Sequence, residues 1–205
     1  LFTNNEILLW PKGFSLKGYE QVFKNPNIII GYRNTLGYVF FGTLANVLVT
    51  ALGAYVLSRP DLMLRKVFTV MVVFTMYFSG GMIPTYLVYK AYGLLNTFWV
   101  YIIPSMMSAY YVILIKTFIE QIPPSLEESA FLDGAGYMTV LIKIIFPMSK
   151  PIAATIAVYA AVHQWNAWFD NHIYAFGKKS ITTLQYLLYT YLQQAERLIQ
   201  EMEKL

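Results

Sequence analysis

Residues 34–58 read NTLGYVFFGTLANVLVTALGAYVLS and contain no aspartate, glutamate, lysine or arginine. About 20 apolar residues in a helix cross a hydrocarbon core of roughly 30 Å, so this stretch can span a membrane. Inside lipid, every backbone group has to be hydrogen-bonded within its own segment, and a charge-free stretch of this length therefore predicts a helix. Further charge-free windows follow along the chain, and they predict four spanning helices in all, near residues 34–58, 67–84, 97–118 and 151–170.

The composition of the whole chain agrees with a membrane protein. Of 205 residues, 57% are hydrophobic and 13% are charged, whereas a typical soluble domain carries about 25% charged residues. Four apolar helices buried in a soluble protein would need more polar surface to cover them. The net charge of +4 comes from scattered basic residues, which does not favour a nucleic-acid partner. These counts predict an all-α fold, a polytopic membrane helix bundle.

Several residues inside the windows predict local details. The first window contains small residues that let membrane helices approach closely, namely Gly37, Gly42 and Gly53. Asn46 lies mid-window and is expected to face protein rather than lipid. Residues 80–84 read GGMIP and weaken the helix near the end of the second span. Pro104 predicts a kink or a late start in the third span.

Short loops predict the orientation. The loop after the first window carries three basic residues and one acidic residue, whereas residues 85–97 carry only Lys90. The positive-inside rule places the first of these loops in the cytoplasm, and alternation places residues 120–150 there too. The chain then divides into an external N-terminal segment, a transmembrane core and an external loop with an amphipathic helix, at residues 1–33, 34–170 and 171–205.

The second cytoplasmic loop, residues 121–151, reads QIPPSLEESAFLDGAGYMTVLIKIIFPMSKP. Ser125 followed by Glu128 has the pattern of a capping box and predicts a short helix that begins near Leu126. Gly134 or Gly136 can adopt a left-handed conformation and end that helix. The small residues that follow Glu128 allow a partner surface to come close. The helix is therefore either a docking element or an ordinary interfacial turn.

The spacing within this loop resembles that of a known family. Glu-Ser-Ala stands at residues 128–130, Gly134 follows six residues after the glutamate, and Ile144 precedes Phe-Pro at 146–147. This pattern resembles the EAA loop of ABC-importer permeases, with a serine for the first alanine and a phenylalanine for a leucine. The chain is most similar to the carbohydrate branch of that family, related to maltose permeases, and to its oligosaccharide (aldouronate-type) members.

The resemblance implies a fold of the type I ABC importer permease kind in the plasma membrane, with several passes through it. It also implies partners: ATP-binding subunits that carry ATP and Mg, a second permease subunit in a heterodimer, an extracellular solute-binding protein, an oligosaccharide substrate and membrane lipid. The chain itself would hold no catalytic residue, metal or cofactor. Residues that contact the ATPase would be Glu127, Glu128, Ser129, Ala130, Asp133 and Gly134. Such permeases usually have six helices, so the chain is expected to be a fragment that lacks the first and last.

The residues themselves give no nucleotide site. The string nearest to a phosphate-binding Gly-Lys-Ser loop, at residues 177–180, carries an extra lysine, and the upstream glycine of that motif is missing. The absence of cysteine excludes a disulfide framework, a thiolate metal site and a cysteine nucleophile.

Polar and aromatic residues gather at the end of the fourth window, where residues 163–172 read HQWNAWFDNH. One interpretation is an aromatic belt at the membrane interface. The other is a sugar path, in which aromatic faces stack on pyranose rings and amides pair with hydroxyls. Polar groups are costly in lipid, so the three within the span should face the bundle interior, at His163, Gln164 and Asn166. The candidates for lining a path are Gln164, Trp165, Asn166 and Trp168, with Tyr77 and Tyr86 as weaker ones.

The two histidines of this segment raise two further possibilities, a metal site and proton coupling. There is no thiolate, and Asp170 is the one nearby carboxylate, so the ligand set for a metal is poor. No carboxylate lies mid-span to relay a proton. Neither possibility is favoured.

The C-terminal residues 184–205 show apolar residues at steps of three and one, which predicts an amphipathic helix too polar to span a membrane. This helix either packs on the bundle or contacts a solute-binding protein, and residues 19–26 are a second candidate contact for the same partner. The leading hypothesis is an importer permease subunit. The alternatives are an intramembrane enzyme that uses the cluster at 163–172 and a structural membrane subunit.

Overall fold

The computed structural model describes residues 16–203, and this part of the chain folds into helices with no strand. The prediction of an all-α fold is confirmed. Residues 1–15 of the predicted N-terminal segment, and the last two residues of the predicted tail helix, lie outside the described residues. The first half contains α1 (Lys17–Lys24), α2 (Pro26–Ser58), α3 (Arg65–Tyr77), α4 (Met82–Ala91) and a 3₁₀ turn (Phe98–Tyr101). The second half contains α5 (Ala109–Ile119), α6 (Pro124–Leu132), α7 (Tyr137–Val140), a π-helical turn (Leu141–Ile145), α8 (Phe146–Met148), α9 (Lys150–Asn166), α10 (Phe169–Tyr174), a 3₁₀ turn (Lys179–Ile181) and α11 (Leu184–Met202).

Helix α2 is the centre of the bundle and packs against α5, α9 and α11. It begins at Pro26 because the Asn25 side chain accepts a hydrogen bond from the Asn27 amide at 3.0 Å and proline suits the first helical position. The predicted boundary at residue 34 therefore falls inside this helix. It ends at Ser58 because Arg59, the residue before Pro60, is extended.

The second predicted span, residues 67–84, is wrong as a continuous helix. Helix α3 ends at Tyr77, and α4 begins at Met82 with its axis turned by 114°. Gly81 has a φ of +89°, which lets the chain reverse between the two helices. Pro84 fits in the first turn of α4, where its missing amide costs no helical hydrogen bond.

The third predicted span, residues 97–118, is wrong in its first half. A 3₁₀ turn and a non-helical segment around Pro104 precede α5, which begins at Ala109. The Ser108 hydroxyl accepts a hydrogen bond from the Tyr111 amide at 3.4 Å and caps the helix. The late start predicted from Pro104 is thus confirmed.

The fourth predicted span, residues 151–170, ends early. Helix α9 stops at Asn166, and the chain preceding it, Tyr137–Met148, is helical but bent from α9 by 77°. Among the described residues, one helix, Pro26–Ser58, is by itself long and apolar enough to cross a membrane, and there are up to three crossings if each bent pair is one span. The four continuous spans predicted from charge-free windows are therefore not all present, because glycine and proline break the second and third apolar stretches.

The outer face of α2 is apolar and exposed. Phe40, Phe41, Leu44, Leu48 and Leu52 each expose about half or more of their surface. Spaced three to four residues apart for the most part, they form one exposed stripe along the helix. An exposed apolar stripe of this kind is typical of a surface that contacts a membrane or another protein.

Several polar side chains on the inner face of α2 form hydrogen bonds with other helices and turns. Asn46 is buried, and its amide donates to the Ser105 carbonyl at 2.6 Å, so the prediction that it faces protein is confirmed. Asn34 donates to the carbonyl of Thr182 at 3.0 Å, and Thr35 accepts from the amide of Leu184 at 2.9 Å. These bonds attach the start of α11 to α2.

Candidate functional site

The short helix predicted in the second loop is present as α6, but it begins differently. Pro123 precedes the helix and Pro124 is its first residue, so proline sets the starting dihedral. Within residues 16–203 no side chain caps this start. The capping box predicted from Ser125 and Glu128 is wrong because Ser125 already lies inside the helix, where its carbonyl accepts from the Ser129 hydroxyl at 2.8 Å.

Helix α6 ends as the glycine predicts. Gly134 has a φ of +81°, its amide donates to the Phe131 carbonyl at 3.0 Å, and the Ala135 amide donates to the Ala130 carbonyl at 2.9 Å. This pair of bonds is the Schellman motif, in which a left-handed residue satisfies the last carbonyls of a helix. The sequence therefore predicted the end of α6 correctly and its start incorrectly.

The six residues predicted to contact an ATPase, which we call the predicted coupling residues, lie on two sides of α6. Glu127 and Ala130 are half-buried and turn toward the bundle. The other four are exposed, at Glu128, Ser129, Asp133 and Gly134. Leu132 belongs to the exposed side as well and leaves 88% of its surface uncovered. Sequence reasoning missed Leu132, although its position four residues after Glu128 places it on the same helix face.

Arg59 joins α6 to the end of α2. Its guanidinium forms an ion pair with Glu127, and the two side chains are only 14% and 17% exposed. Three aromatic rings surround the guanidinium at 5.2–5.5 Å from their centroids, those of Tyr55, Phe131 and Tyr137. Cation–π contacts and a partly buried ion pair of this kind hold the two elements in one geometry.

Asp61 links the same arginine to Tyr137, which lies in the segment that follows α6. Its Nε lies 3.4 Å from Asp61, and the Tyr137 hydroxyl donates to Asp61 at 2.7 Å. The hydrogen bond from Tyr137 holds the pKa of the Asp61 carboxyl below its usual range, which keeps the group anionic at neutral pH. The Tyr55 hydroxyl donates to the Tyr137 carbonyl at 3.3 Å. We call Tyr55, Arg59, Asp61, Glu127, Phe131 and Tyr137 the arginine joint.

A polar cavity of about 380 Å³ lies between the last turn of α9, the interior of α2 and the segment before α5. Gln164 lines it and is 2% exposed. The Thr43 hydroxyl donates to the Gln164 side-chain carbonyl at 3.2 Å, and the Gln164 amide donates to the Ser105 hydroxyl at 3.4 Å. A Cβ on Gly42 would lie 2.6 Å from that amide nitrogen, so any other residue would force the Gln164 side chain to move. The close approach predicted from small residues is thus found at Gly42.

The remaining predicted path residues do not share one surface. Trp165 is half-buried, and Trp168 stacks on Tyr189 of α11 with 4.0 Å between ring centroids. Asn166 is exposed and accepts from the Gln185 amide at 3.1 Å. The expectation that all three polar groups of this span face the bundle interior is wrong for Asn166, because α9 ends there.

Other residues complete the cavity. His163 lines it, although its side chain is exposed, and so do residues that sequence reasoning did not select, Ser105, Ser108, Tyr111 and Asp170. Asn46 contributes a side-chain oxygen that is buried with no hydrogen-bond partner in the described chain. The weaker candidates Tyr77 and Tyr86 are not among the lining residues, and Tyr77 is 85% exposed. Within residues 16–203 no three His, Cys, Asp or Glu side chains are grouped to hold a metal ion.

Gly42→Ala tests how tightly the Gln164 amide is held. The new methyl should displace the amide from Thr43 and Ser105 and lower the free energy of unfolding by about 1 kcal/mol. Because the clash requires Gln164, the double variant Gly42→Ala/Gln164→Ala should cost less than the sum of the single variants. Thermal unfolding of the purified full-length protein measures this, with Gly37→Ala as the control, where the nearest atom to the new methyl is 3.7 Å away. If the losses of unfolding free energy in the two single variants simply add up in the double variant, Gly42 and Gln164 are not in close contact.

Comparison with known proteins gives three findings. Residues 50–195 match the family described as "Binding-protein-dependent transport system inner membrane component". The chain is 41% identical to the polygalacturonan/rhamnogalacturonan transport system permease protein YtcP of Bacillus subtilis, over 84% of this chain and 60% of that protein. It is 39% identical to protein LplC of the same organism, over 84% of this chain and 58% of that protein. The chain thus spans about 60% of the length of these relatives.

A solved structure resembles the fold closely. It is the crystal structure of a bacterial ABC transporter involved in the import of the acidic polysaccharide alginate, and the matched chain is 32% identical with a TM-score of 0.86. The match covers 92% of this chain and 68% of that one. The bends and breaks in the predicted spans therefore belong to a known helical arrangement.

Proposed function

The chain belongs to the family of binding-protein-dependent transport system inner membrane components, and we propose that it is a permease subunit of an ATP-driven importer for a sugar or oligosaccharide. The names of its relatives support this class of substrate. In this proposal a second permease subunit completes the pore, an extracellular solute-binding protein delivers the substrate, and the assembly crosses the plasma membrane several times. ATP and Mg are bound by separate ATPase subunits, while residues 1–33 and 171–205 lie outside the cell.

The observation that carries the proposal is the exposed side of α6. Leu132 is 88% exposed and lies beside Glu128, Ser129, Asp133 and Gly134, which are also exposed. An uncovered leucine at the end of a short helix that is closed by a Schellman motif supports a surface for another protein. We assign this surface to the ATPase subunit.

The two remaining predicted coupling residues take a different part in this proposal. Glu127 and Ala130 face the bundle and hold α6 in place instead of touching the ATPase. A displacement of α6 would then pass through Arg59 to α2, which lines the polar cavity further along the helix at Asn46. This arrangement supports a mechanical link between ATP-driven movement and the substrate path.

The cavity that contains Gln164 is the proposed section of that path. Amides and hydroxyls line it, which are the groups that exchange hydrogen bonds with sugar hydroxyls. Asn46 supplies a buried acceptor that has no partner in the described chain. Trp165, Asn166 and Trp168 follow Gln164 along the chain but lie outside the cavity lining, so in this proposal they contact substrate only beyond the cavity.

Gln164→Ala is expected to reduce sugar uptake by the assembled importer roughly 10-fold, because a buried amide that binds hydroxyls is worth about 1–2 kcal/mol. The measurement is uptake of labelled oligosaccharide into proteoliposomes that contain the full-length importer. Gln200→Ala, an exposed glutamine near the end of α11, is the matched control and should leave uptake unchanged. Equal uptake by both variants would remove Gln164 from the path.

The same preparation separates the proposed function from its alternatives. A structural membrane subunit would bind neighbours but support no ATP-dependent uptake. An intramembrane enzyme would convert a substrate without any ATPase. Wild-type protein that never co-purifies with an ATPase subunit would overturn the importer proposal.

A further inference from the structure

We propose that a second cavity, between α10 and α11, binds one unit of an acidic saccharide. The inference rests on the proposed function and adds a binding site to it. The cavity measures about 300 Å³ and is lined chiefly by Tyr186, Tyr189, Gln193 and Arg197 of α11, facing His172 of α10 and Phe176, which follows it. This volume lies at the lower end of the range of small-molecule pockets, about 300–1,000 Å³, which suits a single sugar ring.

The lining residues of α11 form one stripe along the helix. Tyr186, Tyr189, Gln193 and Arg197 are separated by three or four residues, so their side chains point the same way. A different stripe attaches α11 to α2, where Leu184 and Leu187 lie against Gly31. The polar and aromatic stripe therefore faces α10 and not α2.

Aromatic rings form a rigid wall of the cavity. The ring of Tyr189 stacks on Trp168 at 4.0 Å and is nearly parallel to that of Tyr186, whose centroid is 6.5 Å away. The His172 ring stands edge-on to Tyr189 at 5.8 Å. Phe176, beside them, leaves 69% of its surface exposed. Fixed aromatic faces of this kind suit the apolar face of a pyranose ring.

Polar groups beside the wall are positioned to bind hydroxyls. The Gln193 amide donates to the Tyr189 hydroxyl at 2.6 Å, which orients the amide and leaves its carbonyl oxygen as an acceptor. The Nδ1 atom of His172 is buried and has no hydrogen-bond partner within the described chain. A buried polar atom without a partner calls for an explanation, and a ligand hydroxyl would supply one if the ring, which lines the cavity, turns toward it on binding.

Arg197 gives the cavity its charge preference. The described residues include no acidic group within ion-pair distance of its guanidinium, whereas Arg59 and Arg65 are both paired. No carboxylate of the described chain lines this cavity. A free guanidinium binds a carboxylate through two parallel hydrogen bonds. Together with the aromatic wall, it favours a uronate-type sugar over a neutral one.

The test is saccharide binding to the purified full-length importer by titration calorimetry, with trigalacturonate as the acidic probe and galactotriose as its neutral counterpart. Arg197→Gln should weaken trigalacturonate binding about 10-fold or more, since a charge-assisted hydrogen bond is lost, and should leave galactotriose binding unchanged. Arg33→Gln, an exposed arginine on α2, is the matched control and should change neither. Tyr186→Ala should weaken both probes.

Two outcomes would overturn the site. One is trigalacturonate binding that Arg197→Gln does not change. The other is an Arg197→Gln importer that keeps its saccharide affinity but no longer associates with the solute-binding protein, which would make the stripe a protein contact. ATP-dependent uptake by the wild-type importer is measured in parallel. If the wild-type importer takes up sugar and Arg197→Gln does not change trigalacturonate binding, this site alone is rejected. If the wild-type importer shows no ATP-dependent uptake, the proposed function is rejected.

Discussion

Gly134→Trp is expected to abolish capture of the ATPase subunit by the full-length permease while leaving the permease folded. Gly134 has a φ of +81°, a conformation that costs a residue with a side chain roughly 1–2 kcal/mol. No described atom lies within 4 Å of the position where a Cβ would be, so the indole would not clash within the described chain. It would instead project from the exposed end of α6, next to Leu132, where the ATPase surface is proposed to lie.

A glycine of the same geometry elsewhere provides the control for Gly134→Trp. Gly93 follows α4, has a φ of +67°, and closes the same Schellman motif through hydrogen bonds from Gly93 and Leu94 to the carbonyls of Lys90 and Tyr89. A Cβ at this position would likewise have no described atom within 4 Å. Gly93→Trp should therefore carry a similar backbone strain yet retain the ATPase in co-purification. If Gly134→Trp retains the ATPase as well, α6 is not the docking helix.

Arg59→Ala is expected to uncouple ATP hydrolysis from transport. The change leaves the Glu127 carboxylate, 17% exposed, without its cation, and empties the space between the rings of Tyr55, Phe131 and Tyr137. Removing one partner of a partly buried, charge-assisted pair costs about 2–3 kcal/mol. This loss weakens the attachment of α6 to α2. Helix α6 should therefore still bind the ATPase but move independently of the bundle.

The ratio of sugar imported to ATP hydrolysed, in proteoliposomes that contain the complete importer, measures this uncoupling. The ratio should fall several-fold in Arg59→Ala and recover partly in Arg59→Ala/Glu127→Gln, where the largely buried Glu127 position no longer carries an unpaired carboxylate. Lys24→Ala, which breaks the exposed ion pair with Glu20, is the control and should alter neither stability nor coupling. A normal ratio in Arg59→Ala would show that the arginine joint does not transmit movement.

Local signals in the sequence predicted the features that depend on short segments. The charge-free stretch at 34–58 predicted a membrane helix, the glycine at 134 predicted the end of α6, and Pro104 predicted the late start of α5. The amphipathic repeat of the tail predicted α11. Each of these depends on backbone dihedrals or on side-chain spacing within a few turns, which the residue types determine directly.

The breaks in the other spans were harder to predict. Residues 67–84 are free of charge throughout, and the length of a charge-free stretch does not distinguish a straight helix from two helices with a 114° bend. Gly81 and Pro84 permit the bend, but the direction that the chain takes after it depends on where α4 finds a surface to pack against.

The candidate sites depend most on the tertiary fold. The sequence by itself identified the family-like loop and the polar cluster at 163–172, because their residue types and spacing are local properties. Only the folded structure placed Arg59 between Glu127 and three aromatic rings, turned Glu127 inward, left Leu132 exposed, and brought Arg197 into one cavity with the rings of α10 and α11. The physical reason is that burial and pairing are set by contacts between residues distant along the chain, which no local pattern specifies.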